Sequence, residues 1–248
     1  MLGRLRLWSH PWARAVAGAL LPCSCALCGE LASTVVCPPC RERYARSSAP
    51  RCPCCANPLG AHEAAGQRCA ACLAQAPDFD ATVAAVDYAA PLDALVLRLK
   101  FGAQLPLAPW FAQQLLDAVP AGPGWPLPEL LCPVPLGPQR LAGRGFNQAL
   151  EIARPLALSL GVALEPRLLV RRVETEAQSS VAPSERADNI RGAFDVADAG
   201  LGLVAGRHVG VVDDVMTSGH TLNEVAATLK RAGAARVSNL VFARTPPH

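Results

Sequence analysis

Val209-Gly-Val-Val-Asp-Asp-Val-Met-Thr-Ser-Gly-His-Thr221 joins an apolar run to two adjacent carboxylates, a loop of small residues and an amphipathic segment. Val209, Val211 and Val212 are β-branched and apolar on both faces of the run, as a short strand buried in a parallel sheet requires. Downstream, Leu222, Val225, Ala226 and Leu229 recur at helical spacing, with Thr221 placed to cap the helix and Gly233 to end it. A strand–loop–helix unit of this kind turns backbone N–H groups and the positive end of a helix dipole toward the loop, which makes an anion site. Thr217 and Ser218 add hydroxyl donors, Gly219 permits close backbone approach, and His220 completes the loop. Asp213 and Asp214 fall at the exposed strand end, where ribose hydroxyls or their Mg²⁺ would lie.

The ordered set of β-run, Asp-Asp, apolar pair, Thr-Ser-Gly-x-Thr and helix resembles the 5-phosphoribosyl-1-diphosphate (PRPP) signature of type I phosphoribosyltransferases. The resemblance implies ribose binding by Asp213 and Asp214, and 5′-phosphate binding by Thr217, Ser218, Gly219, His220 and Thr221. Some members of that family carry a further acid in the loop where this chain has Thr217.

Ten of the 11 cysteines lie between Cys23 and Cys72. They supply four Cys-x-x-Cys pairs: Cys25/Cys28, Cys37/Cys40, Cys52/Cys55 and Cys69/Cys72. A two-residue gap lets both thiolates face one tetrahedral metal, and four such pairs in a segment too small for its own core predict structural zinc. The competing disulfide framework needs an oxidising compartment. Arg4, Arg6 and Arg14 before a short apolar run mimic a secretory signal, but Pro22 before Cys23 suits cleavage poorly. Leu5, Trp8, Trp12, Val16 and Leu20 fit one face of an amphipathic helix instead. The expected setting is therefore cytoplasmic. Two zinc arrangements fit the spacing: sequential quartets (Cys25, Cys28, Cys37, Cys40 and Cys52, Cys55, Cys69, Cys72), or a crossed pairing of the first with the third pair. Cys23 and Cys54 are spare, His62 reads as a loop histidine, and Cys132 as a small buried hydrophobe. Replacing Cys40 or Cys69 is expected to unfold the N-terminal module and spare the rest.

Hydrophobic residues make up 51% of the 248 and charged residues 17%, so a sizeable core is available. No apolar run approaches the roughly 20 residues of a membrane span. Residues 1–72 carry eight Lys/Arg against three Asp/Glu, a balance of +5, and residues 73–248 carry 15 against 17, a balance of −2. Within the basic part, Arg41, Arg43 and Arg46 with Tyr44 among them suit a phosphate backbone and a stacked base.

Between these landmarks, Thr82–Tyr88 and Glu129–Val134 read as strands, Pro91–Phe101, Leu107–Val119 and Ala149–Leu160 as helices, and Arg236–Phe242 as a last strand. Lys100 sits beside a glycine turn in Leu-Lys-Phe-Gly102. Arg140 and Arg144, with Asn147 and Gln148, crowd the glycine-rich turn that ends Arg-Gly-Phe-Asn-Gln148, and guanidinium forks suit pyrophosphate. Val170–Arg191, with Gln178, Arg186 and Asn189, is polar and aperiodic and reads as a cover over the site.

The Cys-x-x-Cys series, Leu-Lys-Phe-Gly, Arg-Gly-Phe-Asn-Gln, Gln178…Arg186…Asn189 and the PRPP signature occur in that order, and together they resemble the ComF family (ComFC and GntX-like proteins). The resemblance implies an α/β chain in which a parallel-sheet phosphoribosyltransferase-type domain follows a small double zinc ribbon. The boundaries expected are an amphipathic helix over 1–22, the ribbons over 23–76 and the phosphoribosyltransferase-like domain over 77–248. It also implies PRPP with Mg²⁺ as ligand, and single-stranded DNA and the DNA-uptake machinery as partners. If the chain is a transferase, Asp213, Asp214 and Lys100 are its catalytic residues.

Overall fold

The run that begins at Val209 is one piece of a nine-residue strand, His208–Met216, and both aspartates lie within it rather than beyond its end. The computed structural model describes residues 23–45, 49–60, 66–120, 125–172 and 192–246. The expected helix over 1–22, Arg46, His62 and the segment with Gln178, Arg186 and Asn189 lie outside the described residues. Two compact units divide at Arg46/Ser47, so the second cysteine quartet is in the larger one.

In the smaller unit, β1 (Cys23–Ser24) pairs antiparallel with β2 (Leu31–Ala32), and α1 (Pro38–Tyr44) follows. The larger unit runs in chain order through α2 (Ala70–Ala74), β3 (Ala81–Asp87), α3 (Leu92–Gly102), α4 (Leu107–Ala118) and β4 (Leu130–Pro133). It continues with α5 (Pro138–Arg144), α6 (Gln148–Leu160), β5 (Ala163–Leu164), β6 (Leu169–Arg171) and β7 (Phe194–Val196). After a 3₁₀ turn come α7 (Leu201–Val204), β8 (His208–Met216), α8 (His220–Arg231) and β9 (Arg236–Arg244).

β3, β9, β8, β4 and β5 form one sheet in that order, every pair parallel. The chain leaves β4 toward β5 on one side and β8 toward β9 on the other. The strand order therefore reverses between β4 and β8, and the crevice beyond their C-terminal ends is where open parallel sheets bind ligands. β6 and β7 pair antiparallel apart from this sheet.

Burial explains these choices. On α8, Leu222, Val225, Ala226 and Leu229 are all in the core, as their spacing predicts. Asn147 caps α6 by accepting from the Ala149 N–H at 2.9 Å, and Ile152 and Leu156 are fully buried, each worth roughly 1.5–3 kcal/mol. Phe111 of α4 stacks on Phe242 of β9 with ring centroids 3.6 Å apart, and Trp110 meets both rings edge-on at 5.8 Å. Cys132 is completely buried in β4, and burial pushes its thiol up to about 12.

Gly210 makes the central crossing possible. A Cβ there would come within 2.4 Å of Leu131 Cδ2 and 2.8 Å of Pro128 Cγ. Gly210→Ala is expected to lower stability by about 1–3 kcal/mol through overpacking at the β8–β4 contact, measured as a lower urea midpoint at unchanged slope.

Candidate functional site

Asp213 and Asp214 differ in burial along β8 but stay in contact, Asp213 Oδ1 accepting the Asp214 N–H at 2.8 Å. Asp214 is only 2% exposed, and this departs from the exposed strand end expected of the pair. The reason is that its face is covered by α3 and α6. Lys100, in the last turn of α3, places its ammonium 2.6 Å from Asp214 Oδ2. Gln148, the first residue of α6, donates from Nε2 to Asp214 Oδ1 at 3.3 Å. Arg144 in turn donates to Gln148 Oε1, and its guanidinium lies 5.3 Å over the Phe101 ring. Three of the sequence-predicted residues, Lys100, Arg144 and Asp214, thus join one polar chain, with Gln148 as the link.

The turn that carries Arg144 is not free loop. Asn147 Nδ2 donates to the Val134 carbonyl at 3.0 Å, pinning the turn to the end of β4. Its first half is the helix α5, which the glycine content hid. Arg140, Arg144, Lys100, Phe101, Ala103, Gly143 and Phe146 line a concavity of about 320 Å³. Phe101 is 76% exposed there, large for an aromatic ring.

Asp213 is half-buried. Burial and the adjacent Asp214 charge push its carboxyl well above the usual carboxylate range, and Lys100 only partly opposes them. Two neighbouring carboxylates with surplus negative charge are hard oxygen donors of the kind Mg²⁺ takes, so the pair fits that cation chemically.

Thr217 and Ser218 are exposed in the loop after β8. Gly219, not Thr221, is the N-cap of α8, and it has φ +87°, which a side chain would strain. Thr221 is the second residue of the helix. Among the described residues no side chain caps α8, so its first-turn N–H groups are open toward the loop, as an anion site needs. Arg244, which sequence reasoning passed over by ending the last strand at Phe242, is 5% exposed behind the loop and donates to its carbonyls. The signal was present: a lone charge closes the apolar run Leu240–Ala243.

The eight paired cysteines settle into the sequential arrangement. Cys25, Cys28, Cys37 and Cys40 have their sulfurs within 4.8 Å of one another, and so do Cys52, Cys55, Cys69 and Cys72. Sulfurs bound to one zinc at about 2.3 Å are about 3.8 Å apart in a tetrahedron. Here Cys28 and Cys37 sulfurs are 3.8 Å apart and those of Cys55 and Cys69 3.5 Å, so both quartets fit the metal. None of the 11 cysteines is disulfide-bonded.

The quartets are built alike. In each, the first sulfur accepts backbone N–H groups: Leu27 at 3.4 Å and Cys37 at 3.3 Å on Cys25, and Cys69 at 3.3 Å on Cys52. The third cysteine of the first quartet opens α1 as its N-cap, and the third of the second opens α2 in the same way. Burial opposes ionisation, but the N–H donors outweigh it, and Cys25 falls to about 6 and Cys52 to about 7. A thiolate held ready at each quartet is what a structural zinc site requires. Cys54 is buried beside the second quartet and Cys23 is exposed beside the first.

Of the expected nucleic-acid residues, Arg41, Arg43 and Tyr44 share α1, with the Arg43 guanidinium 5.3 Å over the Tyr44 ring. Among the described residues no helix is long and apolar enough to cross a membrane.

Residues 16–73 match the family described as double zinc ribbon domain, and residues 146–247 match the phosphoribosyl transferase domain. DNA utilization protein YhgH of Salmonella typhi is 35% identical over 206 residues, which cover 82% of this chain and 88% of that protein. Competence protein F of Haemophilus influenzae is 31% identical over 218 residues, covering 87% and 93%. Competence protein ComFC of Streptococcus pneumoniae is 32% identical over 111 residues, covering 45% and 46%.

Proposed function

Because the chain belongs to the ComF family, with a double zinc ribbon ahead of a phosphoribosyltransferase domain, we propose that it binds PRPP or a related phosphoribosyl ligand and serves DNA uptake by handling single-stranded DNA. The observation that supports ligand binding most is the polar chain Arg144–Gln148–Asp214–Lys100 at the reversal of strand order, beside the uncapped start of α8. Asp213 and Asp214 hold the ribose hydroxyls, and Mg²⁺ at these carboxylates would offset their charge and that of a diphosphate. Thr217, Ser218, Gly219, His220 and Thr221 take the 5′-phosphate. Lys100, Arg140 and Arg144 face the diphosphate end, where fixed cations oppose its charge without reorganising. The reading is of binding ahead of transfer, since Thr217 stands where a base-side acid would be needed. Calorimetry of Mg²⁺–PRPP against the zinc-loaded protein tests it, and absence of saturable binding at millimolar ligand would end it.

The DNA half of the proposal draws support from the names of the relatives and from the +5 balance of residues 1–72. Arg41, Arg43 and Tyr44 offer guanidinium and ring surfaces for backbone and base. Each neutralised phosphate releases counterions, so binding should weaken steeply as salt rises. Charge reversal at Arg41 and Arg43 is expected to flatten the slope of log K against log salt by about 0.7 per lost contact, the value for single strands. Asp213→Asn should leave that slope unchanged. Fluorescence anisotropy of a labelled single strand at several salt concentrations measures both, and a wild type without saturable binding at low salt would remove the DNA role.

A further inference from the structure

Behind the anion loop, one buried side chain holds three separate parts of the larger unit. Arg244 is the last residue of β9 and is in register with Met216, the last residue of β8. Its Nη1 donates to the Met216 carbonyl at 3.1 Å, to the Thr217 carbonyl, and to the Thr245 carbonyl at 2.5 Å. Its Nε donates to the Cys55 carbonyl at 3.0 Å. Cys55 belongs to the second quartet, and its sulfur lies 3.5 Å from that of Cys69.

Peptide planarity gives this contact a direction. In a trans peptide the C=O and the N–H of the same plane point opposite ways. A guanidinium that draws the carbonyls of Met216 and Thr217 back toward β9 therefore aims the N–H groups of Thr217 and Ser218 outward, on the side where an anion would sit. Gly219 restrains the loop from its other end, since a Cβ there would meet Met216 Cε at 2.7 Å. The guanidinium is rigid and its donors are fixed in one plane, so moving the Cys55 carbonyl moves the fork that holds the loop.

The knuckle that presents this carbonyl is itself built on metal ligands. Cys52 and Cys55 flank it, and its backbone is tied into the larger unit by the Thr82 N–H to the Pro53 carbonyl at 3.2 Å and by Arg51 to Asp87 at 2.9 Å. Arg51 also donates to the Ala56 carbonyl at 3.1 Å. Knuckle, fork and loop therefore form one line of direct contacts inside a single unit.

We propose that Arg244 is a positioning residue for the phosphate loop, and that through it the second cysteine quartet, when metal-bound, keeps the loop's N–H groups aimed at an anion. The proposal rests on the phosphoribosyl reading for the identity of that anion. The second ribbon then has a role beyond stability: it sets the order of the binding loop.

The test uses the whole zinc-loaded chain. The ¹⁵N order parameters of Thr217 and Ser218 should fall from about 0.85, typical of rigid backbone, to below about 0.6 in Arg244→Lys, which keeps the charge and loses the fork. Affinity for ribose 5-phosphate, which probes the phosphate cradle without the diphosphate end, should weaken about 10–100-fold, the usual cost of losing an orienting partner. Arg244→Lys with an unchanged loop and unchanged affinity would overturn the proposal. Should that variant not fold, gradual chelation of the wild type decides instead. The loop amides should lose order before Val211 and Val212 in the core of β8, and loss of order only together with those strand amides would overturn it. Cys28→Ser, in the first quartet, should leave the loop amides as they are. If wild type binds neither ribose 5-phosphate nor PRPP while the loop still follows Arg244 and the metal, the phosphoribosyl reading fails and the relay stands.

Discussion

Removal of zinc from the second quartet is expected to lower the melting temperature of the larger unit, whereas its removal from the first is not. The reason is where the second knuckle lies. Cys52, Cys55, Cys69 and Cys72 are buried in one apolar cluster with Phe79, Ala84, Val209, Val211, Val237 and Val241, the side chains that cover one face of the sheet. Structural zinc contributes about 10–16 kcal/mol of apparent binding free energy in small fingers at neutral pH, comparable with the whole stability of a typical domain. Loss of even about 5 kcal/mol of that coupling would lower the melting temperature by roughly 10–20 °C in a unit of this size. Cys69→Ser should show this loss by scanning calorimetry, and Cys40→Ser should leave the melt of the larger unit in place. Cysteine spacing alone suggests that either replacement would spare the downstream fold; the place of Cys69 in the apolar cluster of the larger unit separates the two. Equal melts for the two variants, or metal analysis finding fewer than two zinc ions per chain, would contradict this account.

The second large effect concerns the aspartates, and their different burial and partners split it. Asp213→Asn removes a half-buried carboxyl already raised by burial and by Asp214, so the fold should lose little, while Mg²⁺-dependent PRPP binding should fall below detection. Asp214→Asn removes the partner of Lys100, whose side chain is only 23% exposed. Leaving that ammonium without its counter-charge is expected to cost about 3 kcal/mol, near the low end for a broken buried pair because Lys100 retains some water contact. The double variant Lys100→Met, Asp214→Leu should recover much of the stability and none of the ligand binding, because it removes both charges together. Chemical denaturation and calorimetry on the three proteins separate the two roles. Unchanged PRPP affinity in Asp213→Asn would sink the signature-based assignment.

The features legible in the sequence are local ones. Leu222, Val225, Ala226 and Leu229 declare α8 by spacing alone, and the β-branched run before the small-residue loop declares β8 and the turn that follows it. The Cys-x-x-Cys spacing found every ligand of both quartets. It left open which pairs share a metal, because that depends on how the chain folds back between them. The contact of Arg244 with Cys55 and the linking role of Gln148 were not legible for the same reason. Each acts on a partner distant in sequence, Cys55 for one and Asp214 for the other, and no short-range pattern marks such a meeting. α5 was hidden by Gly137, Gly143 and Gly145, which read as a turn although Pro138 starts a helix and Gly145, at φ +81°, ends it.

The pairing of β3 with β9 carries a consequence for how the chain is made. Ala81 is in register with Ser238, so the first strand of the sheet waits for one that is synthesised about 157 residues later. At roughly 5–20 residues per second, ribosomes need on the order of ten to thirty seconds to supply it. During that time Ala81–Asp87, apolar on both faces, has no sheet to join, and bare strand edges of this kind template aggregation. The knuckle Cys52–Cys55 emerges before β3 and offers it a backbone bond through Pro53. Metal capture by a segment made early thus supplies a temporary neighbour for a strand whose permanent one is made last, and newborn chains should be most vulnerable when zinc is scarce.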